Sequence, residues 1–149
     1  MRATYRHTNI VAADWRALAA FYEDVFGCTP VPPVRDLSGA WLDLGTGVPD
    51  AHLTGVHLRL PGHGRGGPTL EIYGYSVTKP RPAVAANREG IAHIAFEMED
   101  VVAATRLVLE HAGSLVGEVT SAEVPGVGLL TFVYVADPEG NIVELQAWT

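Results

Sequence analysis

The sequence of 149 residues contains a single cysteine, Cys28, which excludes an intrachain disulfide and any metal cluster built from several thiolates. Basic residues are also scarce: 10 Lys and Arg stand against 17 Asp and Glu, which gives a formal net charge of −7 at pH 7. This charge argues against binding to nucleic acid or to an anionic membrane surface. No run approaches the ~20 apolar residues of a membrane helix, and the N-terminal residues lack the pattern of a secretory signal. We therefore expect a cytoplasmic protein that binds neither nucleic acid nor membrane, in which Cys28 is a small buried residue.

Apolar residues, by contrast, are abundant. Hydrophobic residues make up 48% of the chain and charged residues 18%, which is enough for a sizeable core and makes disorder a poor interpretation. The length fits one domain of ordinary size, or two small modules that share a core.

An internal repeat is the most informative feature of the chain. A His, an Asp and a Gly recur with a constant offset of 86 residues: His7, Asp14 and Gly27 in the first copy, and His93, Asp100 and Gly113 in the second. Apolar residues follow each Asp at the spacing of one helix face. Each copy therefore predicts a short strand with the His, then a three-turn helix that begins at the Asp as N-cap and ends at the Gly as left-handed C-cap.

Strand-like runs separated by turn residues follow each predicted helix. They lie at residues 40–44, 55–60 and 69–75 in the first copy, with a weaker proline-rich candidate at 28–34, and at residues 114–119, 129–136 and 142–148 in the second. We predict an α+β fold in which two βαβββ modules form a curved mixed sheet around a metal pocket. Residues 1–75 are the first module, 76–89 a linker and 90–149 the second module, within one domain overall.

The last strand of each copy carries a glutamate between aliphatic residues, Glu71 in the first and Glu144 in the second. Because successive side chains of a strand point to opposite faces, each glutamate points away from the face that a helix covers. His93 likewise points away from the face of Ile94 and Phe96, and His7 points away from that of Thr8 and Ile10. If the two halves pair into one curved sheet, two imidazoles and two carboxylates converge in a concave pocket.

This set of side chains suits one divalent metal ion, Zn, Ni, Co, Mn or Fe(II), whose charge the two carboxylates offset. A single His or Glu on a strand is more often an ordinary core or surface residue, but the recurrence at matching places favours ligation. We predict that His7, Glu71, His93 and Glu144 are the metal ligands. Four ligands in an octahedral field leave two adjacent positions for waters or for a chelating substrate.

Five segments resemble the vicinal oxygen chelate superfamily, which includes glyoxalase I, methylmalonyl-CoA epimerase, extradiol dioxygenases and the fosfomycin and bleomycin resistance proteins. They are HTNIV at residues 7–11, FYEDVFG at 21–27, LEI at 70–72, GIAHIAF at 90–96 and DPEGNIVEL at 137–145. The resemblance implies paired βαβββ modules and, as in the metal-using members, ligation by the residues that match His7, Glu71, His93 and Glu144.

Within the superfamily, the site pattern is most similar to that of glyoxalase I, where a carboxylate occupies the place of Glu71. Methylmalonyl-CoA epimerase usually has Gln there and a second His where this chain has Ala92. The resemblance therefore implies a metal-dependent isomerase, epimerase or lyase that chelates a small substrate through adjacent oxygens. The alternatives are an Fe(II) extradiol-type dioxygenase, whose relatives generally use two His and one Glu, and a metal-free drug-binding resistance protein of bleomycin type.

Proton transfer next to a carbonyl requires a base, and the nearest candidates are the ligand glutamates Glu144 and Glu71, of which we favour Glu144. Tyr73, Tyr75 and His57 are further candidates for contact with the small-molecule substrate. We expect a homodimer, in which the pocket forms either within one chain or across the dimer.

Overall fold

The helices and strands follow the repeat of the sequence. The computed structural model describes residues 2–149. The first half contains β1 (His7–Val11), α1 (Trp15–Phe26), β2 (Thr29–Ser38), α2 (Ala40–Thr46), β3 (His52–Arg59) and β4 (Thr69–Tyr75). The second contains β5 (Ile94–Glu97), α3 (Val101–Glu110), β6 (Ser114–Leu115), β7 (Thr120–Val124), β8 (Gly128–Ala136) and β9 (Ile142–Trp148). The predicted α+β fold with two βαβββ modules is confirmed.

The chain divides into two units, residues 1–81 and residues 82–149, and the boundary falls inside the segment predicted as a linker. Each unit has its own sheet of mixed strand orientation. Among residues 2–149, no helix has the length and apolar character needed to cross a membrane.

The sheet of the first unit has the strand order β1-β4-β3-β2, with β1 parallel to β4 and the other neighbours antiparallel. Helix α1 packs against β3 and β4. The residues that form the core between this helix and the sheet are almost fully buried; they include Leu18 and Tyr22 of the helix and Leu58, Leu70 and Ile72 of the strands. The indole Nε1 of Trp15 also donates a hydrogen bond to Thr54 Oγ1 at 3.0 Å, which ties the start of the helix to β3.

The second unit repeats this plan. Its sheet has the order β5-β9-β8-β6, with β5 parallel to β9. Strands β6 and β7 both pair with β8. Helix α3 packs against β8 and β9. The buried residues between them are Val101, Ala104 and Val108 of the helix and Val133, Val135, Val143 and Leu145 of the strands.

Helices α1 and α3 begin as predicted. The Asp14 carboxylate accepts hydrogen bonds from the backbone N–H groups of Arg16 and Ala17, and the Asp100 carboxylate accepts one from that of Ala103. Such a cap satisfies N–H groups that have no partner inside the helix. Helix α1 also ends as predicted, since Gly27 has a left-handed φ of 67°.

The prediction for the end of α3 is wrong. Its C-cap is His111, and Ala112 rather than Gly113 adopts the left-handed conformation, with φ of 64°. Glycine is required at position 113 for a different reason: a Cβ there would lie 2.5 Å from Val108 Cγ1 and 2.7 Å from the Ala136 carbonyl oxygen. The glycine therefore permits a close approach between the helix and β8.

The prediction of a strand at residues 40–44 is also wrong, because this segment forms α2. An apolar run of five residues does not distinguish strand from helix, and local hydrogen bonds decide here. Thr46 Oγ1 donates to the Leu42 carbonyl at 2.7 Å, and the left-handed Gly47 donates its N–H to the Asp43 carbonyl. Leu42 is buried while Trp41 and Leu44 are exposed, which is a helical and not an alternating pattern.

Further strand predictions differ in their bounds. Strand β3 begins at His52, before the predicted residue 55, and β5 begins at Ile94, so that it does not include His93. Strand β2 extends to Ser38, beyond the predicted 28–34, and the run at 114–119 is a strand only at Ser114–Leu115. Strand β7, at Thr120–Val124, was not predicted. Four of its five residues are exposed, so it lacks the alternation that marks a half-buried strand.

Candidate functional site

In the first unit, strand register places Glu71 in the middle of a polar sheet face. Glu71 of β4 lies across from Asn9 of β1 and from His57 of β3. Its neighbours Leu70 and Ile72 are buried on the face covered by α1. Because side chains alternate along a strand, Glu71 points to the opposite face, as predicted.

Two imidazoles approach one oxygen of this carboxylate. His7 Nδ1 and His57 Nε2 each lie 3.2 Å from Glu71 Oε1. His57 Nε2 is also 2.7 Å from Tyr73 Oη, and the two rings meet edge to face with centroids 5.8 Å apart. The Glu71 side chain is only 11% exposed. His57 therefore connects the predicted ligand Glu71 to the phenol of Tyr73.

The surroundings hold His57 and Tyr73 in their neutral forms. Burial lowers the pKa of His57 below its ordinary value; Glu71 opposes this shift, whereas Arg35 and His7 add to it. Burial and the Glu71 carboxylate raise the pKa of the Tyr73 phenol. The positive charge of Arg35 lowers this pKa, but the net shift is upward. At neutral pH, Tyr73 is therefore a protonated phenol beside an uncharged imidazole.

The second unit presents a corresponding pair. Glu144 of β9 lies across from Ala95 of β5 and from Tyr134 of β8. His93, immediately before β5, has its Nε2 3.0 Å from Glu144 Oε2, and the Glu144 side chain is 14% exposed. The Tyr134 ring lies beside the His93 ring at a centroid distance of 4.8 Å, and Phe132 continues this aromatic surface along β8.

The two His–Glu contacts occupy the same register. Asn9 is the strand partner of Glu71, and His7 lies two residues before it. Ala95 is the strand partner of Glu144, and His93 likewise lies two residues before it. In each unit the His therefore reaches the Glu diagonally across a parallel strand pair. In the described residues 2–149, no group of three or more His, Cys, Asp or Glu side chains is arranged so that it could hold a metal ion.

Comparison with protein families adds to this geometry. A family model described as the Glyoxalase/Bleomycin resistance protein/Dioxygenase superfamily matches residues 4–145. The chain belongs to this superfamily. A search of the curated proteins found no match.

Solved structures share the superfamily fold with this chain. A glyoxalase family protein from Bacillus cereus has a TM-score of 0.76 and 17% identity, with 99% of this chain and 94% of that chain covered. One from Enterococcus faecalis has a TM-score of 0.60 and 21% identity, with 96% of each chain covered. A glyoxalase/bleomycin resistance protein/dioxygenase family enzyme from Burkholderia phytofirmans PsJN has a TM-score of 0.58 and 14% identity, with 99% of this chain and 100% of that chain covered. At these identities, the likeness is one of fold.

The remaining residues predicted to contact substrate lie in two adjoining environments, and Tyr73 belongs to both. His57 and Tyr73 lie beside Glu71, as described above. Tyr75 instead packs with Leu37 against a buried cluster at the α2 end of the same sheet. This cluster comprises Leu42, Ala51, Leu53 and Tyr73.

Sequence reasoning missed two features of the polar faces. Tyr134 and Phe132 alternate along β8 with the buried Val133 and Val135, and this period of two was available in the sequence as a signal. Arg35 was not predictable in this way, because the register of β2 shifts between Val31 and Arg35 and hides which face the side chain takes.

Proposed function

We propose that this superfamily member is a divalent-metal-dependent enzyme that chelates a small substrate through adjacent oxygens and moves a proton next to a carbonyl. Its reaction would be that of an isomerase, epimerase or lyase, with His7, Glu71, His93 and Glu144 as the metal ligands. The observation that carries the proposal is the repeated contact between an imidazole and a carboxylate, at 3.2 Å in the first unit and 3.0 Å in the second, in the same strand register.

The chemistry of these four side chains fits a divalent metal ion. Neutral imidazole nitrogen and carboxylate oxygen are ligands for Zn, Ni, Co, Mn and Fe(II), and two carboxylates offset the charge of a divalent ion. The donors come as two pairs, one from a first module and one from a second, of one chain or of two chains in a homodimer. When bound, the metal supplies Lewis-acid stabilisation of negative charge on the substrate oxygens.

Within the proposal, Glu144 is the residue that takes the proton. Glu71 Oε1 already faces two imidazole nitrogens, those of His7 and His57, whereas within the described residues 2–149 Glu144 faces only that of His93. Contact with one imidazole and not two leaves more of the Glu144 carboxylate available to accept a proton. Both carboxylates are largely buried, which excludes much of the water that would compete for this proton.

Metal uptake by the purified chain tests the proposal. A chain first stripped with a chelator should take up Zn²⁺, Ni²⁺, Co²⁺, Mn²⁺ or Fe²⁺ and retain it through desalting. His93→Ala should lose most of this affinity, because a ligand is removed, whereas His63→Ala in an exposed loop should retain it. If the chain binds none of the five metals but does bind bleomycin, the proposal of an enzyme is wrong and that of a drug-sequestering protein takes its place.

A further inference from the structure

We propose that Arg35 and Tyr73 bind an oxyanion group of the substrate, a carboxylate or a phosphate, on the polar face of the first sheet. The inference rests on the proposed function and deepens it, because it names the chemical class of the small molecule. Both residues lie in the first unit.

Strand register brings the two residues to one line across the sheet. Arg35 of β2 pairs with Gly55 of β3, and Gly55 pairs with Tyr73 of β4. Paired residues on neighbouring strands share a face, so Arg35 and Tyr73 both lie on the face of Glu71. A Cβ at position 55 would lie 2.5 Å from Tyr73 Cδ1, so the missing side chain of Gly55 provides the space for the phenol ring.

The Arg35 guanidinium has donors to spare. One of its N–H groups donates to the backbone carbonyl of Pro33, and in the described residues 2–149 Arg35 forms no salt bridge with a carboxylate. The residue is half-buried. A guanidinium has five N–H donors and no acceptor, and it binds planar or tetrahedral oxyanions through two parallel hydrogen bonds.

Tyr73 contributes a hydroxyl that can donate to a ligand when the imidazole hydrogen of His57 is on Nε2. We assign the imidazole hydrogen to His57 Nε2, because an unprotonated nitrogen 3.2 Å from the Glu71 carboxylate oxygen would be repelled by it. The same nitrogen is 2.7 Å from Tyr73 Oη, which therefore accepts from it. The phenol O–H remains free to donate, and His57 acts as a positioning residue that fixes this direction.

The charges on this face are compatible with an anionic ligand. The Glu71 carboxylate is already faced by the imidazoles of His7 and His57, whereas the Arg35 charge has no anionic partner within salt-bridge distance in residues 2–149. An oxyanion between the two residues would receive charge-assisted hydrogen bonds from Arg35 and a neutral hydrogen bond from Tyr73.

The test uses the full chain after removal of metal with a chelator, so that a failure of metal binding and a failure of this site are seen separately. Titration calorimetry would measure the binding of pyruvate, of inorganic phosphate and of pyruvamide, the uncharged counterpart of pyruvate. The variants are Arg35→Gln, Tyr73→Phe and the control Arg106→Gln, which removes the same charge from the exposed surface of α3. Thermal unfolding would verify that each variant is folded.

We expect saturable binding of pyruvate or phosphate, with the tighter of the two identifying the oxyanion class, and no binding of pyruvamide. Arg35→Gln should weaken binding by at least about tenfold and Tyr73→Phe by about fivefold, while Arg106→Gln should not change it. Absence of saturable binding, unchanged binding by Arg35→Gln, or equal weakening by Arg106→Gln would overturn the site. Nitrogen-15 spectra of the ring provide a second test, since a hydrogen on His57 Nδ1 would make Tyr73 the donor to His57 and remove it from the site.

Discussion

His93 Nε2 lies 3.0 Å from Glu144 Oε2, across a parallel strand pair in which the partner of Glu144 is two residues beyond the histidine. His7 and Glu71 repeat this diagonal relationship in the first sheet, at 3.2 Å. Either contact alone would be an ordinary polar contact between side chains on a sheet. Its recurrence in the same register of both modules is the reason to assign the two pairs a common role.

The two glutamates should differ in their effect on proton transfer. In the metal-loaded chain, Glu144→Gln should reduce solvent-deuterium exchange into the substrate by about 10²–10⁴, the usual contribution of a positioned base, while Glu71→Gln should reduce it less. Glutamine keeps the size of the side chain but cannot take the proton. Metal content equal to that of the unmodified chain is the control. Exchange at the unmodified rate in metal-loaded Glu144→Gln would move the role of base to Glu71.

Turnover should not require oxygen. A site with four protein ligands that acts as a Lewis acid works with redox-inert Zn²⁺ or Ni²⁺, whereas extradiol cleavage needs a metal that engages O₂. Rates measured in an anaerobic chamber with Zn²⁺, Ni²⁺ or Fe²⁺ should therefore match those in air. Strict dependence on Fe²⁺, with oxygen consumed in proportion to product, would identify a dioxygenase.

Cys28 should be unreactive in the folded chain. The residue is 3% exposed, and burial together with the nearby Glu23 carboxylate raises the pKa of its thiol to about 12. Compared with an unfolded thiol of pKa about 8.5, the reactive thiolate is reduced by about three orders of magnitude at pH 8. Alkylation by iodoacetamide, followed by mass spectrometry, should be slower by that factor or more in buffer than in guanidinium chloride. Similar rates in both would show that Cys28 is accessible.

Gly113 should be essential for stability, although it is not the left-handed cap of α3. Gly113→Ala places a Cβ within 3 Å of Val108 and of the Ala136 carbonyl, and overpacking of this kind costs about 1–3 kcal/mol of unfolding free energy. Gly117→Ala is the matched control, because a Cβ there meets nothing within 4 Å. Urea unfolding should show a lower midpoint for the first variant only, and equal midpoints would contradict the close approach.

The helix starts and the faces of the two glutamates could be predicted from the sequence, because neighbouring residues determine them. Asp14 and Asp100 cap their helices because a carboxylate binds free N–H groups wherever a helix starts. Alternation around Glu71 and Glu144 predicted their faces, since one residue of slip would bury a carboxylate in the core.

The missed features depend on contacts that are distant in sequence or on irregular backbone. Helix α2 is held by hydrogen bonds from Thr46 and Gly47 that an apolar run does not reveal. The face taken by Arg35 follows from a register shift in β2 and not from a regular period. The role of Gly113 depends on Ala136, which lies on a strand far along the chain.

The stoichiometry of metal binding in two single variants tests the central claim most directly. If both His–Glu pairs bind the same ion, the chain should hold one metal ion per chain, and His7→Ala and His93→Ala should each reduce the affinity for that one ion by about 100-fold or more. The measurement is equilibrium competition with a chromogenic chelator, together with elemental analysis of each variant. One ion per chain that is lost in both variants is the predicted result. Two ions per chain, with each variant retaining one, or equal affinity in either variant, would contradict the account.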